Sequence, residues 1–425
     1  MTNILVIGSG VSGIATAISL KKRNIPFKIF EKNDYVGGLC SSFSINGFKF
    51  DTFVHFSFSE KEEFNNIILK NTPYLSHNPE AYNYYNGFFI AHPLQDNLKQ
   101  LPFSIKMRCV FSLIFPEKIR KIQNYSDWLL ANFGSFFSTE FAKKYTLKYW
   151  GVSADKIGID WIGKRIHCPN KFQIIKGALF ENKQNYYYAK KMRYPEQGEF
   201  LSFFKSFYNE ISVEKKEVVS INIKKKEVLF NDGEVEHYSS LFSSIPLSEM
   251  KNIIEDIPQD IKNACDKLKW TQGIIVSIGF KREIKTQGLW NYIYDSDILI
   301  SRIYFPHLKS RNNVPEGCSS LQAEIYFSND TPLRDLDEIK KDVIKNLIKM
   351  KMFSVDDILF SDVRYFKYAN IIFTKETYEN RDSIIFFLRK NNIIPIGRFG
   401  KWEYFWSDQA FLDGKKEGEC FSYDE

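Results

Sequence analysis

Cysteine is scarce in this sequence: the 425 residues include six, and no two of them form a CxxC pair. A disulfide-stapled scaffold and a cysteine-ligated zinc site both need paired or closely spaced cysteines, so this distribution excludes both. We therefore expect reduced thiols, no metal site and a cytoplasmic protein.

Long apolar runs are missing as well. No apolar stretch reaches the length of a membrane span, and the first one, Ile4 to Ile7, runs directly into Gly8 without a basic leader. Internal repeats and low-complexity segments are also missing. We expect neither an integral membrane segment nor a targeting segment.

The excess of positive over negative charge is small. Lysine and arginine number 58 against 51 aspartates and glutamates, a net charge of +7. Spread over this length, such an excess favours a nucleic-acid partner no more than an anionic small ligand, and we expect no nucleic acid. What is present is a globular composition, 44% hydrophobic and 16% aromatic, in a chain long enough for two or three packed units around a large ligand. A homo-oligomer stays open.

The chain opens with a strand, a glycine-rich turn, a helix and a second strand. Asn3 to Ile7 predicts a buried strand, residues 8–13 read Gly-Ser-Gly-Val-Ser-Gly, and Phe27 to Phe30 predicts a strand that ends at Glu31. Glycines in this pattern allow a tight turn, approach of the backbone to a pyrophosphate and close helix packing, while the acid accepts ribose hydroxyls. The predicted dinucleotide-binding residues here are Gly8, Gly10, Ser12, Gly13, Glu31 and Lys32.

A second glycine pair follows the ribose acid. Gly37 and Gly38 precede Leu39, and His55 stands further along. An NAD site needs no further backbone approach at this place, whereas the pattern resembles the flavoprotein signature of the glutathione reductase type. FAD is therefore preferred as the cofactor, bound also by Gly37, Gly38 and Leu39. His55 fits either a place beside the flavin or a hydrogen-bonded core position.

The C-terminal segment carries a third motif. The strand pattern from Ile393 to Ile396 runs into Gly397 and Arg398, and residues 402–410 read Trp-Glu-Tyr-Phe-Trp-Ser-Asp-Gln-Ala. A glycine and an arginine at a strand end can bring an N–H group and a guanidinium to a phosphate or a reduced ring, and Ser407 is expected to cap a helix that points at the flavin. The alternative is a surface aromatic loop.

Together with three central motifs, these elements resemble the UDP-galactopyranose mutase branch of the amine oxidase and protoporphyrinogen oxidase superfamily. The central motifs are Tyr145-Thr146-x-Lys148-x-Trp150-Gly151, Lys164-Arg165-Ile166 and Ser301-Arg302-Ile303. The resemblance extends over most of the chain and is strongest at its two ends. It implies a nucleotide-sugar pyranose/furanose mutase of surface polysaccharide biosynthesis with no net redox change. Reduced FAD, activated by NAD(P)H or another reductant, would attack the anomeric carbon through N5.

The resemblance also implies roles for individual residues. Arg165 and Arg302 would clamp the diphosphate of a nucleoside diphosphate sugar, Tyr404 would hydrogen-bond it, and Arg398 would lie between flavin and phosphates. The implied catalytic set is Arg165, Arg302, Arg398, Tyr404 and His55. The implied substrate set is Arg165, Arg302, Tyr404, Trp150 and Tyr188, for which the adjacent Tyr186 and Tyr187 are alternatives. The cofactor set adds Val219, Gly397, Arg398, Asp408 and Gln409. A solvated basic face for Arg165 and a core position for Trp150 are the alternatives.

Two departures keep other functions open. Residues 53–58 lack the Gly-Ala-His-x-x-His form of the bacterial mutases, and Leu39 after Gly38 is typical of desaturase-like and oxidase relatives. The second hypothesis is an FAD oxidoreductase acting on an amine or a hydrophobic substrate. The third is a non-catalytic flavin- or membrane-binding protein.

The predicted fold class is α/β: an FAD-binding Rossmann-like domain of the glutathione reductase type with an inserted helical region and a second β-sheet that forms the substrate domain. The expected FAD-binding domain is discontinuous, over 1–75, 205–250 and 390–425. A mainly helical insertion is expected over 76–185, and a sheet-containing substrate domain over 186–204 and 251–389.

Overall fold

The computed structural model describes residues 3–163, 165–180 and 190–422. The strands are β1 Ile4–Ile7, β2 Phe27–Glu31, β3 Ser42–Ile45, β4 Phe48–Asp51, β5 Tyr74–His77, β6 Ala81–Tyr85, β7 Phe88–Ala91, β8 Met192–Pro195, β9 Glu214–Lys215, β10 Val218–Asn222, β11 Glu227–Phe230, β12 Val235–His237, β13 Ser240–Ser243, β14 Lys269–Phe280, β15 Trp290–Ile293, β16 Arg302–Tyr304, β17 Ser319–Ser328, β18 Ile358–Ile372 and β19 Ile393–Pro395. The α-helices are α1 Val11–Lys22, α2 Glu62–Ile68, α3 Phe103–Ile114, α4 Tyr125–Phe137, α5 Lys143–Trp150, α6 Lys171–Leu179, α7 Lys205–Glu210, α8 Met250–Ile253, α9 Gln259–Lys267, α10 Pro306–Lys309, α11 Leu336–Lys349, α12 Thr377–Lys390, α13 Gly397–Gly400 and α14 Ser407–Glu419.

A five-stranded parallel sheet holds the two ends of the chain together. Its strand order is β19-β13-β1-β2-β9. Strand β1 is buried along its whole length, because a parallel sheet is covered on both faces and favours a continuous apolar run. The predicted strand, helix and strand at the start of the chain are confirmed as β1, α1 and β2. The three-stranded meander β10-β11-β12 turns at residues 231–233, as the Asn-Asp-Gly sequence predicts.

The second sheet has seven strands in the order β18-β14-β17-β16-β15-β6-β7. The apolar run over 274–280 predicts a strand, and it lies within β14, which pairs antiparallel with both β17 and β18. The run over 298–304 also predicts a strand, but only Arg302–Tyr304 forms β16. Strands β6 and β7 belong to this sheet, so the expectation of a mainly helical region from residue 76 is wrong for its first part. Tyr84 and Tyr85 of β6 pair instead with Phe89 and Phe88 of β7.

The remainder of the central insertion is helical. Helices α3 and α4 pack together, and Gly134 allows their close contact, since a Cβ atom there would lie 2.2 Å from the backbone oxygen of Ser112. A π-helical turn, Ser138–Ala142, joins α4 to α5. Aromatic residues at helical spacing, among them Phe133, Phe137 and Phe141, fill the core between these helices and the second sheet.

No helix in the described ranges is long and apolar enough to cross a bilayer. Within the same residues, no group of three or more His, Cys, Asp or Glu side chains is arranged to hold a metal ion.

Candidate active site

A cavity of about 950 Å³ lies where the five-stranded sheet, the inserted helices and the seven-stranded sheet meet. Its walls come from the β1–α1 turn, the end of β2, helices α4 and α5, and strands β15 to β18. Thirteen of the residues predicted from sequence line it: Gly10, Ser12, Glu31, Lys32, Gly37, Gly38, Leu39, His55, Trp150, Arg165, Arg302, Arg398 and Tyr404. The structure thus brings motifs from both ends and the middle of the chain to one cavity.

Two glycine motifs touch each other at one end of the cavity. A Cβ atom on Gly38 would lie 3.3 Å from the Cα of Gly10, and the N–H of Gly37 donates to the Ser9 oxygen at 3.0 Å. Side chains at these positions would fill the space in front of the first turn of α1. The N–H groups of that turn therefore stay accessible to an anion, as binding of a pyrophosphate requires.

Glu31 stands at the edge of this glycine contact. Its carboxylate is buried and accepts hydrogen bonds from the Ser9 N–H at 2.8 Å, the Ser9 hydroxyl at 3.0 Å and the Asn33 amide at 2.7 Å. These bonds fix the carboxylate at the end of β2, where the sequence places the ribose acceptor. A fixed negative charge there disfavours a 2′-phosphate.

Six predicted cofactor residues do not line the cavity: Gly8, Gly13, Val219, Gly397, Asp408 and Gln409. Gly13 serves packing, since a Cβ atom on it would lie 1.9 Å from the Gly8 oxygen. Val219 is 49% exposed on β10. Asp408 is buried and accepts a hydrogen bond from the Ser59 hydroxyl at 2.6 Å. Tyr188, together with Lys164 of the central motif, lies outside the described residues.

The start of α14 corrects one expectation. Trp406, not Ser407, is the N-cap, and its backbone N–H donates to the Gln409 side chain at 2.9 Å. Ser407 is the first helical residue because the Gln409 amide oxygen satisfies the cap from within the helix. Gln409 therefore shapes the site by fixing where this helix begins.

Arg165 and Arg398 meet at the ring of Tyr404. Their guanidinium carbons lie 4.6 and 5.0 Å from the ring centroid. Arg165 donates to the Tyr404 backbone oxygen at 2.8 Å, while Arg398 donates to the Phe405 oxygen at 2.9 Å and to Asn370 at 3.0 Å. The buried Nε of Arg398 has no hydrogen-bond partner among the described residues. Two cations on one aromatic ring form a cationic corner in the cavity wall.

Arg302 has a different environment. Its guanidinium forms an ion pair with Glu324, a carboxylate that is 0% exposed, at 2.6 Å. The same carboxylate accepts the Tyr326 hydroxyl at 2.8 Å and the Val54 N–H at 2.9 Å. Arg302 is therefore fixed by an acid, and its charge is partly compensated before any ligand binds.

His55 directly follows Val54, whose N–H donates to Glu324. Its Nδ1 is 2.9 Å from the Phe53 oxygen, and its ring stacks on Phe200 with 5.1 Å between centroids. Burial lowers the pKa of His55, and the nearby Asp51 opposes this only in part. A neutral imidazole in the cavity wall is the consequence.

Aromatic side chains line the cavity around Tyr404. Trp150 is buried and contacts Trp161 and Tyr404, with centroids 5.5 and 5.8 Å away. Tyr145 and Tyr149 stack on each other, and burial raises the pKa of both hydroxyls well above 10. These tyrosines are neutral hydrogen-bonding groups at physiological pH.

Two lining or supporting residues have no counterpart in the predicted set. Asn370 on β18 links Arg398 to the Tyr149 hydroxyl, at 3.0 and 3.4 Å. Glu324 on β17 orients Arg302. A lone acid inside the apolar run from Leu321 to Phe327 was the signal for Glu324, because a buried strand admits an acid only when it is paired. Asn370 carries no such signal.

Residues 6–68 match the family model of the NAD(P)-binding Rossmann-like domain. The chain contains a Rossmann-like dinucleotide-binding domain. Short segments of curated enzymes match as well. The 1-hydroxycarotenoid 3,4-desaturase of Flavobacterium sp. (strain P99-3) is 43% identical over 51 residues, which are 12% of this chain and 10% of that enzyme. The phytoene desaturase of Fusarium fujikuroi is 45% identical over 49 residues, 12% of this chain and 9% of that enzyme. The matches span about a tenth of these relatives' length.

Two solved structures share the whole fold. A reduced UDP-galactopyranose mutase superposes with a TM-score of 0.92 at 21% identity, covering 99% of this chain and 95% of that one. A putative protoporphyrinogen oxidase from Exiguobacterium sp. 255-15 gives 0.76 at 12% identity, covering 98% of each chain. These likenesses confirm the predicted fold class, a Rossmann-like α/β domain with a second sheet.

Proposed function

We propose that this protein is an FAD-dependent mutase that interconverts the pyranose and furanose forms of a nucleoside diphosphate sugar, in surface polysaccharide biosynthesis. One observation carries the proposal. Arg165 and Arg398 converge on Tyr404 in the same cavity that contains the glycine contact between Gly10 and Gly38. One cavity thus contains a site suited to a dinucleotide and a separate cationic corner suited to an anion.

The residues at the glycine end fit FAD. Gly10, Gly37 and Gly38 leave room for a pyrophosphate in front of α1, and Glu31 is placed for a ribose. When bound and reduced, FAD supplies an electron-rich ring nitrogen that can act as a nucleophile. The protein's task is to orient the sugar and to stabilise the group that leaves it.

A diphosphate gains negative charge as its bond to the sugar breaks. The guanidinium groups of Arg165 and Arg398 are planar donors in a largely buried wall, where they stabilise that charge more than water would. Arg302 and Tyr404 would complete the phosphate contacts, with Trp150 beside the base. Held by Glu324, Arg302 would contribute orientation more than net charge.

The decisive test is anaerobic. The purified protein is reduced with dithionite and incubated with UDP-, dTDP- and GDP-sugars, and new products are separated by anion exchange and identified by NMR. We expect an isomeric furanose that forms only with reduced flavin and consumes no stoichiometric reductant. Absence of any isomer from every donor would contradict the proposal.

The desaturase segments and the cavity wall favour a second candidate, an FAD oxidoreductase with a hydrophobic substrate. Helix α4 lines the cavity with Tyr125, Leu129, Phe133 and Phe137, which suit an apolar ligand. Under this function the flavin would be reduced by substrate and reoxidised by an acceptor. Substrate-dependent bleaching of the oxidised flavin, without any sugar isomer, would select it.

A further inference from the structure

Helices α3 and α6 expose large apolar side chains on the face turned away from the core. Phe103, Phe111, Phe115 and Phe172 are between 61% and 77% exposed. The full set, here called the α3–α6 patch, is Phe103, Met107, Phe111, Phe115, Ile122, Phe172, Ile175, Leu179 and Phe180. These nine residues are nearly half of the exposed large apolar side chains among the described residues. Exposed apolar side chains are therefore concentrated in this part of the surface.

The two helices form one continuous surface. On α3 the exposed residues recur every fourth position, which places them on one side of the helix. The rings of Phe111 and Phe115 are 5.1 Å apart, and the Lys171 ammonium at the start of α6 lies 5.5 Å from the Phe115 ring. The end of α3 therefore meets the beginning of α6.

Both helices already have a core-facing side. Cys109 and Leu113 of α3 are buried, as are Ile174 and Ala178 of α6. A surface helix that is apolar on its buried side needs no second apolar side for folding. The exposed side is therefore available to a partner outside the chain.

The sequence segments that carry the patch contain mostly positive charges. Residues 99–122 contain Lys99, Lys106, Arg108, Lys118, Arg120 and Lys121, and α6 adds Lys171 and Lys176. Glu117 is the only acid in these two segments of the sequence. The overall charge of +7 over 425 residues gives no reason to expect eight cations beside nine exposed apolar residues.

We propose that the α3–α6 patch docks this protein on an anionic membrane surface. A lipid surface satisfies both features, since apolar side chains insert at the level of the headgroups while lysines and arginines contact anionic lipids. A second copy of the chain satisfies only one of them. In a two-fold dimer built on this patch the same eight cations would face each other across the interface.

Docking would also bring the cavity to the membrane. His167 and Cys168 line the cavity, and α6 begins three residues later at Lys171. The α6 part of the patch and this part of the cavity wall therefore belong to one continuous segment, and the bound protein would present this side of the site to the lipid surface.

The test is co-sedimentation of the full chain with lipid vesicles. We expect retention on vesicles with about one third phosphatidylglycerol, little retention on phosphatidylcholine alone, and release at about 0.5 M salt. The double variant Phe111→Ser/Phe172→Ser should bind the anionic vesicles at least roughly tenfold more weakly. Phe386→Ser removes a phenylalanine of α12 that is 74% exposed outside the patch, and it should bind as the parent does.

Thermal unfolding of each variant establishes that the comparison is between folded proteins, and the salt dependence of the unmodified chain needs no variant. Three results would overturn the proposal. They are no retention on anionic vesicles at low salt, retention of the double variant equal to that of Phe386→Ser, and a dimer in light scattering that the double variant converts to a monomer.

Discussion

A Cβ atom on Gly397 would lie 2.2 Å from the Oγ of Ser12, so the glycine before Arg398 packs directly on the first turn of α1. Gly397 has a φ of +73°, and its N–H donates to Asp413 at 2.8 Å. Gly414 of α14 makes a second close contact, where a Cβ atom would lie 2.0 Å from the Ser12 backbone oxygen. The cationic corner and the dinucleotide end are thereby packed directly against each other.

The substitution Gly397→Ala should lower the stability of the protein and its retention of FAD. A side chain there is strained by the positive φ and collides with Ser12. Gly233→Ala is the matched control: its φ is +85°, and nothing lies within 4 Å of the added Cβ atom. We expect about 1 kcal/mol of destabilisation at Gly233 from φ alone. At Gly397 overpacking adds about 1 to 3 kcal/mol. Urea unfolding measures the free energy of unfolding of both variants. Equal losses of stability in Gly397→Ala and Gly233→Ala would show that the contact with Ser12 is unimportant.

Replacing Arg398 by lysine should weaken binding of a nucleoside diphosphate. Lysine keeps the charge but loses the planar group that contacts the Tyr404 ring and donates to both Asn370 and Phe405. Loss of one charge-assisted hydrogen bond corresponds to an increase of about tenfold in Kd. Calorimetric titration with UDP measures this value.

The control for Arg398→Lys is Arg311→Lys. Arg311 is exposed and pairs with Glu283, and it is not one of the residues that line the cavity. Its substitution should leave the Kd for UDP unchanged. If both variants bind UDP as the parent does, Arg398 takes no part in anion binding.

Much of the dinucleotide end could be predicted from sequence because its chemistry is local. Gly8, Gly10 and Gly13 stand in one turn, and Glu31 follows at the end of the next strand, so spacing alone fixes their geometry. The convergence of Arg165 with Arg398 could not be derived in this way. It depends on the packing of an inserted helical region against the C-terminal loop, and only the resemblance between motifs placed the two residues together.

The second sheet was harder to predict from its residues. Strand β18 runs for 15 residues, and most of them are partly exposed, so burial does not separate one face of the strand from the other. Asn370, which supports Arg398, lies on that strand. Its role follows from the pairing of β18 with β14, a long-range contact that leaves no periodic pattern.

Breaking the ion pair between Asp51 and Lys309 should destabilise the fold strongly. Both side chains are buried, and Asp51 also accepts the Tyr194 hydroxyl at 3.0 Å and the Phe200 N–H at 2.9 Å. Lys309→Met would leave a buried carboxylate without its cation, at a cost of roughly 3 to 5 kcal/mol.

The double variant Asp51→Asn/Lys309→Met removes both charges and keeps an oxygen that accepts the Phe200 N–H, while the amide NH2 can donate to the Tyr194 hydroxyl oxygen. It should recover most of the stability lost in Lys309→Met, as measured by urea unfolding. A double variant as unstable as the sum of the two single variants would show that the two charges do not interact.

Lys148 should contribute a rise in the stability of the protein with pH in the alkaline range. Burial lowers the pKa of Lys148 from 10.5 to about 7, although its ammonium donates to the backbone oxygens of Ile293 and Asp295 at 2.8 and 2.6 Å. Between pH 7 and 10.5 the unfolded chain therefore binds more protons at this residue than the folded chain does. The contribution of Lys148 to the free energy of unfolding therefore rises with pH in this window, and the cost of charging Lys148 is fully present below pH 7.

Two substitutions isolate this contribution. Lys148→Met has no proton to bind, so its free energy of unfolding should rise less, or fall more, between pH 7 and 10.5 than that of the parent. Lys148→Arg stays charged throughout, so it should lack the Lys148 contribution as well and remain less stable than Lys148→Met at every pH. Urea unfolding at intervals across the window measures all three proteins. A slope in Lys148→Met as steep as in the parent would assign the pH dependence to other groups, because only the charge on Lys148 distinguishes the two proteins in this respect.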